Sequence, residues 1–246
     1  VWKKHEASVP PFAFIEMVRR SFLVRRPTGL VTHWRRAVTK DQSKLFPETL
    51  VAEFDQLHQH RVKLQLMWQQ TLALFGTSKE RVELLNRSAP AFFSMIQGVL
   101  YDQVLLGIGR LLDPPGNSHQ SNLVLAHLSK QVRAHGDTAL ADALDDHLSE
   151  LRTHCATIRS HRHKRLAHLD LQHAMGMQEF SAVTIADVQR AIDGIYGFLK
   201  LIDEKHLLRN YSQEVIEGLG DAEALVRRLG ETDAQREEKR RSRGVS

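Results

Sequence analysis

The chain has 246 residues, 42% of them hydrophobic and 26% charged, which fits one compact domain with extensions, or at most two small domains. Its single cysteine excludes an internal disulfide framework and points to a reducing compartment. The longest uncharged run, residues 88–101, is too short to span a bilayer, and Glu16 and Arg19 interrupt any leader-like apolar stretch, so the expectation is a cytoplasmic protein with no membrane contact.

The formal net charge of +5 is carried by the first segment. Residues 1–44 hold ten Lys/Arg and three acids, a net of +7, whereas the remaining 202 residues hold 24 basic and 26 acidic side chains, a net of −2. A high pI therefore does not imply a broad basic surface on the main domain. Pro10, Pro11 and Pro27 break this segment. It reads either as a poorly ordered basic extension or as an arm that touches nucleic acid.

From residue 48 the pattern is helical. Leu50, Phe54, Leu57, Leu64, Trp68, Leu72 and Phe75 recur at three- and four-residue steps until Gly76 stops the helix. Thr77 and Glu80 have capping-box spacing for a short helix to about Asn86. Ser88 and Pro90 open a second long helix, apolar around much of its circumference and therefore expected at the centre of a bundle. The residues Asp113, Pro114, Pro115 and Gly116 end it. A shorter helix over 122–134 follows, ending at Gly136. Asp137 caps the next, and Thr184 with Asp187 caps the last strong one, whose stripe is Ile185, Val188, Ile192, Ile195, Leu199 and Ile202. Weaker helical pieces lie near 213–229, and the mixed-charge tail reads as frayed. The fold class is all-α: a helical bundle of about four principal helices with short extra ones, divided into an extension over 1–44, a helical domain over 45–210 and a C-terminal piece and tail over 211–246.

The helix capped by Asp137 carries the chemistry. Its core stripe is Leu140, Leu144, Leu148, Leu151, Cys155 and Ile158, and the next member of the series is Arg162. On a straight helix Arg162 lies about 20° from Leu151. A guanidinium on a core face is costly unless it is paired or lines a polar cleft. His147, His154, His161 and His168 form a second stripe at seven-residue spacing. Neighbours in it are about 10 Å apart along the axis, too far to share one ion, so no metal site is expected and the upstream histidines read as boundary positions. Arg110 and Asp113, three apart, either pair as a structural lock or support a cleft.

Imidazole titrates near neutrality and arginine forks onto phosphate oxygens, so an Arg and a His suit phosphodiester cleavage. Arg162 and His168 are about 120° apart on a straight helix. Either the helix breaks between them or two copies of the segment face each other. The stretch "RHKRLAH", residues 162–168, resembles the signature of HEPN-domain proteins: an Arg, a polar residue, then a His after four to six positions. His163 stands where Asn or Asp is commoner. The blocks "LFGTSKERVELLNRSAPAFF", "DQVLLGIGRLLDPP", "SNLVLAHL" and "RHKRLAHLD" resemble, in order, the AbiU-type branch of abortive-infection HEPN proteins, over about residues 45–205. The resemblance implies a dimeric helical bundle and a metal-independent endoribonuclease that leaves a 2′,3′-cyclic phosphate and a 5′-hydroxyl, in phage defence or as a toxin. It implies no cofactor and leaves room for an antitoxin or regulatory partner. His168 from each protomer would be the general acid or base, Arg162 would hold the scissile phosphate and His163 would assist. Lys164 and Arg165 are expected at flanking phosphates on charge alone. A non-catalytic HEPN-fold module that binds RNA, a nucleotide or a partner protein is the alternative.

Overall fold

The computed structural model describes residues 47–116, 122–163, 182–209 and 221–243. Among them it is helical throughout, with no strand. The elements are α1 (Glu48–Thr71) with a π-helical turn at Leu72–Gly76, α2 (Lys79–Ser88), α3 (Pro90–Leu111), α4 (Leu125–Ala134), α5 (Thr138–His154), α6 (Ala156–His161), α7 (Ile185–Ile202) with a π-helical turn at Asp203–Leu207, and α8 (Ala222–Arg243). The expected extension over 1–44 lies outside the described residues.

Four long helices, α1, α3, α5 and α7, build most of the main core, with Leu125, Leu128 and Val132 of α4 added to it; α1 packs on α3 and α7, and α5 on α7. Their stripes are largely those the periodicity marks, except that Ile185, at the first position of α7, is 53% exposed and Leu72 and Phe75 are only half-buried, Leu74 taking the buried position in the π-helical turn. Leu50, Phe54, Leu57, Leu64 and Trp68 of α1 are buried, as are Val188, Ile192, Ile195, Leu199 and Ile202 of α7. Each fully buried Leu, Ile or Phe contributes about 2 kcal/mol of transfer free energy, so these stripes dominate the stability. α5 and α7 approach closely at Gly194, where a Cβ would meet Leu151 Cδ1 at 2.5 Å, and the Nε2–H of His147 donates to the Gly194 carbonyl at 2.8 Å.

Helix boundaries follow their caps. The Asp137 carboxylate accepts from the Leu140 amide at 3.1 Å, and Lys205 beside it holds its pKa down at about 2. Thr184 and Asp187 form a full capping box. Gly136 takes φ +93°, the left-handed conformation that ends a helix. At α2 the cap shifts by one residue. Ser78, not Thr77, accepts from the Arg81 amide at 3.3 Å, because the Thr77 hydroxyl donates back to the Leu72 carbonyl closing the preceding turn.

Two expectations change. α3 is central only in its C-terminal half, where Val104, Leu105, Ile108 and Leu111 are buried, whereas Phe92, Met95 and Val99 are 51, 58 and 51% exposed. The uncharged run stops at Tyr101, but the helix continues past it and carries Asp102 and Arg110 within its span. It is the one helix among the described residues long and apolar enough to cross a membrane by length and composition. The tail is also not frayed over the described residues: α8 runs unbroken to Arg243. Its strong helix formers Ala, Gln, Arg, Glu and Lys account for that. Its first turns add Ala222, Val226 and Leu229 to a second apolar cluster with Leu74, Leu85 and Phe93. Ion pairs Arg81–Glu223 (2.6 Å) and Arg87–Asp233 (2.9 Å) tie it to α2.

Candidate functional site

The site begins where α5 ends. Leu140, Leu144, Leu148, Leu151, Cys155 and Ile158 are all buried, so the stripe that leads to Arg162 is a core face. The helix breaks once, at Cys155 (φ −90°, ψ 11°), and resumes as α6. Burial pushes the Cys155 thiol up to about 11, so it is an apolar filler rather than a thiolate. The break also ends the histidine stripe as a continuous row. His154 is exposed on α5, whereas His161 on α6 is 7% exposed.

Arg162 is the C-cap of α6 and keeps helical dihedrals. Its guanidinium Nη1 donates to the Asp113 carboxylate. The side chain is 28% exposed and that of Asp113 is 23% exposed, so the pair is neither core nor open surface. The stem of Arg162 lies against α3 at Gly109. A Cβ there would run into Arg162 Cδ and stand 3.2 Å from its Nε. A glycine inside a helix costs up to about 1 kcal/mol relative to alanine; here it makes the approach of Arg162 possible. From the other side, Arg152 donates Nε–H to the Leu112 carbonyl and Nη2–H to the Asp113 carbonyl, both at 3.2 Å. It thereby satisfies two acceptors left open at the C-terminal end of α3. Asp113 is thus held at its backbone by Arg152 and holds Arg162 with its side chain.

Arg110 and Asp113 do not form the expected lock. Arg110 is exposed and Asp113 turns to Arg162 instead, supporting the cleft residue, because Asp113 lies beyond the end of α3 at Leu111 and the helical three-residue step no longer applies there. His163 is exposed, one residue beyond Arg162. Lys164, Arg165 and His168 lie outside the described residues. Gly109 and Arg152 were not singled out from the sequence. The signal for Gly109 was a glycine in the interior of an apolar helix. The signal for Arg152 was its place four residues after Leu148, at the edge of the core stripe.

The pair also joins two of the sequence blocks in space, the one that contains Asp113 and the one beginning at Arg162. The model of the HEPN AbiU2 family matches residues 47–201. The chain belongs to that family. It is an abortive-infection-related HEPN protein, and the match ends with α7, so the family segment holds α1 to α7 and excludes α8. No curated protein and no solved structure matches the chain. Of the HEPN motif at 162–168, the structure describes Arg162 and His163.

Proposed function

We propose that this HEPN protein is a metal-independent endoribonuclease that acts as a homodimer in phage defence or as a toxin. The observation that carries the reading is the Arg162–Asp113 pair seated on Gly109. It keeps the motif arginine of an AbiU2-type HEPN domain at a fixed place, partly exposed, with its remaining N–H groups able to take phosphate oxygens. In the proposed reaction the RNA 2′-oxygen attacks the adjacent phosphorus and the bond to the 5′-oxygen breaks. His168 of one protomer removes the 2′-OH proton and His168 of the other protonates the leaving 5′-oxygen. Arg162 stabilises the charge that builds on the non-bridging oxygens. His163 assists in orienting the substrate, and Lys164 and Arg165 hold flanking phosphates.

A second copy has a surface to meet. Phe92, Met95 and Val99 are about half exposed, and at 100° per residue they share one stripe of α3 with Arg110, within about 60°. An apolar stripe that runs toward the candidate site fits a partner protomer that completes it. One observation favours the non-catalytic alternative: Asp113 already neutralises part of the Arg162 charge.

RNA digestion with excess chelator, comparing the wild type with His168→Ala, separates the readings. The proposal expects cleavage that resists chelator, yields 2′,3′-cyclic phosphate ends and is lost in His168→Ala with the fold intact. Binding of RNA with no cleavage would establish the module reading instead.

A further inference from the structure

A second surface borders the candidate site and has no role in the reading so far. A groove of about 740 Å³ lies between α4, α5, α6 and the proline turn after α3, lined by Pro115, Ala126, Lys130, Arg133, Asp145, Leu148, Ser149, Arg152, Thr153 and Arg159. Its size is in the range of ligand sites. Its one carboxylate is already engaged: Asp145 accepts from Ser129 Oγ at 2.5 Å and from Arg133 Nη2 at 2.8 Å. Arg133 is further occupied by Asp142 at 2.7 Å. Lys130, Arg152 and Arg159 are left, and among the described residues none of the three forms an ion pair. Arg152 is fixed in place by the Leu112 and Asp113 carbonyls. Burial and the neighbouring Arg159 charge work against its protonated form, and the Asp113 and Asp145 charges offset this only in part. Like charges held together in a partly dry groove repel, and an anion between them relieves that cost.

We propose that this groove carries the phosphodiester backbone of the RNA strand as it leaves the cleavage site, with Lys130, Arg152 and Arg159 on successive phosphates. The inference rests on the reading of this chain as an RNA-acting protein. The groove and the motif arginine are joined through one residue, since Asp113 gives its carbonyl to Arg152 and its carboxylate to Arg162. The described lining has no aromatic ring to stack a base and no Asn or Gln to read one. Its donors are cations and the small hydroxyls of Ser149 and Thr153. That chemistry suits sequence-indifferent backbone contact rather than a nucleobase pocket.

The test is binding of a single-stranded RNA oligomer to the full-length His168→Ala protein over a series of salt concentrations, with and without Lys130→Gln and Arg159→Gln. Both side chains are exposed, so the fold tolerates their neutralisation. The double variant should weaken binding several-fold at low salt and reduce the slope of log K against log salt by about 1.4, two phosphate contacts' worth. An unchanged affinity and slope would overturn the proposal. So would saturable one-to-one binding of ATP that the double variant abolishes while RNA affinity holds, since that would make the groove a small-ligand site. If the wild type binds RNA with this dependence but never cleaves it, the groove stands and the nuclease reading falls. If it cleaves RNA and the double variant changes neither slope nor affinity, the reverse holds.

Discussion

Among the described residues two arginines, Arg61 and Arg162, interrupt apolar stripes, and they are settled in opposite ways. Arg162 follows Ile158 on the α5–α6 face and ends partly exposed on Asp113. Arg61 sits between Leu57 and Leu64 on α1 and is 3% exposed. Among the described residues it has no carboxylate partner. Its Nη2–H donates to His58 Nε2 at 3.0 Å, and its guanidinium lies 5.3 Å from the centre of the Tyr196 ring. Because Arg61 donates, His58 must accept on Nε2 and stay neutral, and burial together with the Arg61 charge lowers the His58 pKa to about 4. An arginine on a core stripe is therefore not in itself a sign of a cleft. The core accommodates Arg61 through a ring face and a neutral imidazole, and the edge of the core accommodates the partly exposed Arg162 through an acid.

The comparison breaks most sharply at Arg61. Arg61→Ala should lower stability by about 3–5 kcal/mol, because it empties a packed site in the core. Arg61→Met should be neutral or stabilising, since it keeps the volume and removes the burial cost of the charge. Urea midpoints of the two variants decide this; a Met variant as damaged as the Ala variant would mean that the charge itself is needed.

The His58 imidazole gives the comparison a pH signature. Its folded pKa, about 4, is below the unfolded value of about 6.5. Between those values the unfolded chain binds a proton that the folded chain does not. Stability is therefore present in full above about pH 6.5 and is lost as pH falls toward 4, by about 3 kcal/mol in all. Denaturation at pH 7 and pH 4.5 in the wild type and in His58→Gln measures it, and the Gln variant should lose much of the slope.

On the Arg162 side, Gly109→Ala should separate function from stability. The added methyl displaces the Arg162 stem, and a displacement of about 1 Å costs on the order of 10²-fold in rate. The gain in helix propensity, up to about 1 kcal/mol, offsets part of the crowding. Cleavage rates beside melting curves check this. Activity retained at wild-type level would show that the seat on α3 is irrelevant.

The sequence made the bundle legible because three-residue and four-residue steps map directly onto buried faces; every residue from Leu140 to Ile158 in that series is buried. It left open what the interruptions mean. Arg61 and Arg162 break the period alike, and the difference comes from long-range partners, Tyr196 on α7 and Asp113 after α3, which spacing along one helix does not report. The exposure of Phe92, Met95 and Val99 was hidden for the same reason, since an apolar circumference reads as core whether or not a second element covers it. The unbroken tail helix depended on α2 and on the apolar cluster under it. The catalytic pairing of Arg162 with His168 stays a matter of motif and chemistry, because His168 lies outside the described residues.

The central claim is that Arg162 acts on RNA while Arg61 only supports the fold. Single-turnover RNA cleavage in excess chelator, measured for the wild type and Arg162→Lys with melting curves of both, tests it most directly. A lysine keeps the charge but cannot reproduce the planar fork. The account predicts a rate at least about 10²-fold lower in Arg162→Lys, with a melting temperature within a few degrees of the wild type. A wild-type rate in Arg162→Lys, or wild-type cleavage that stops when chelator is added, would contradict it.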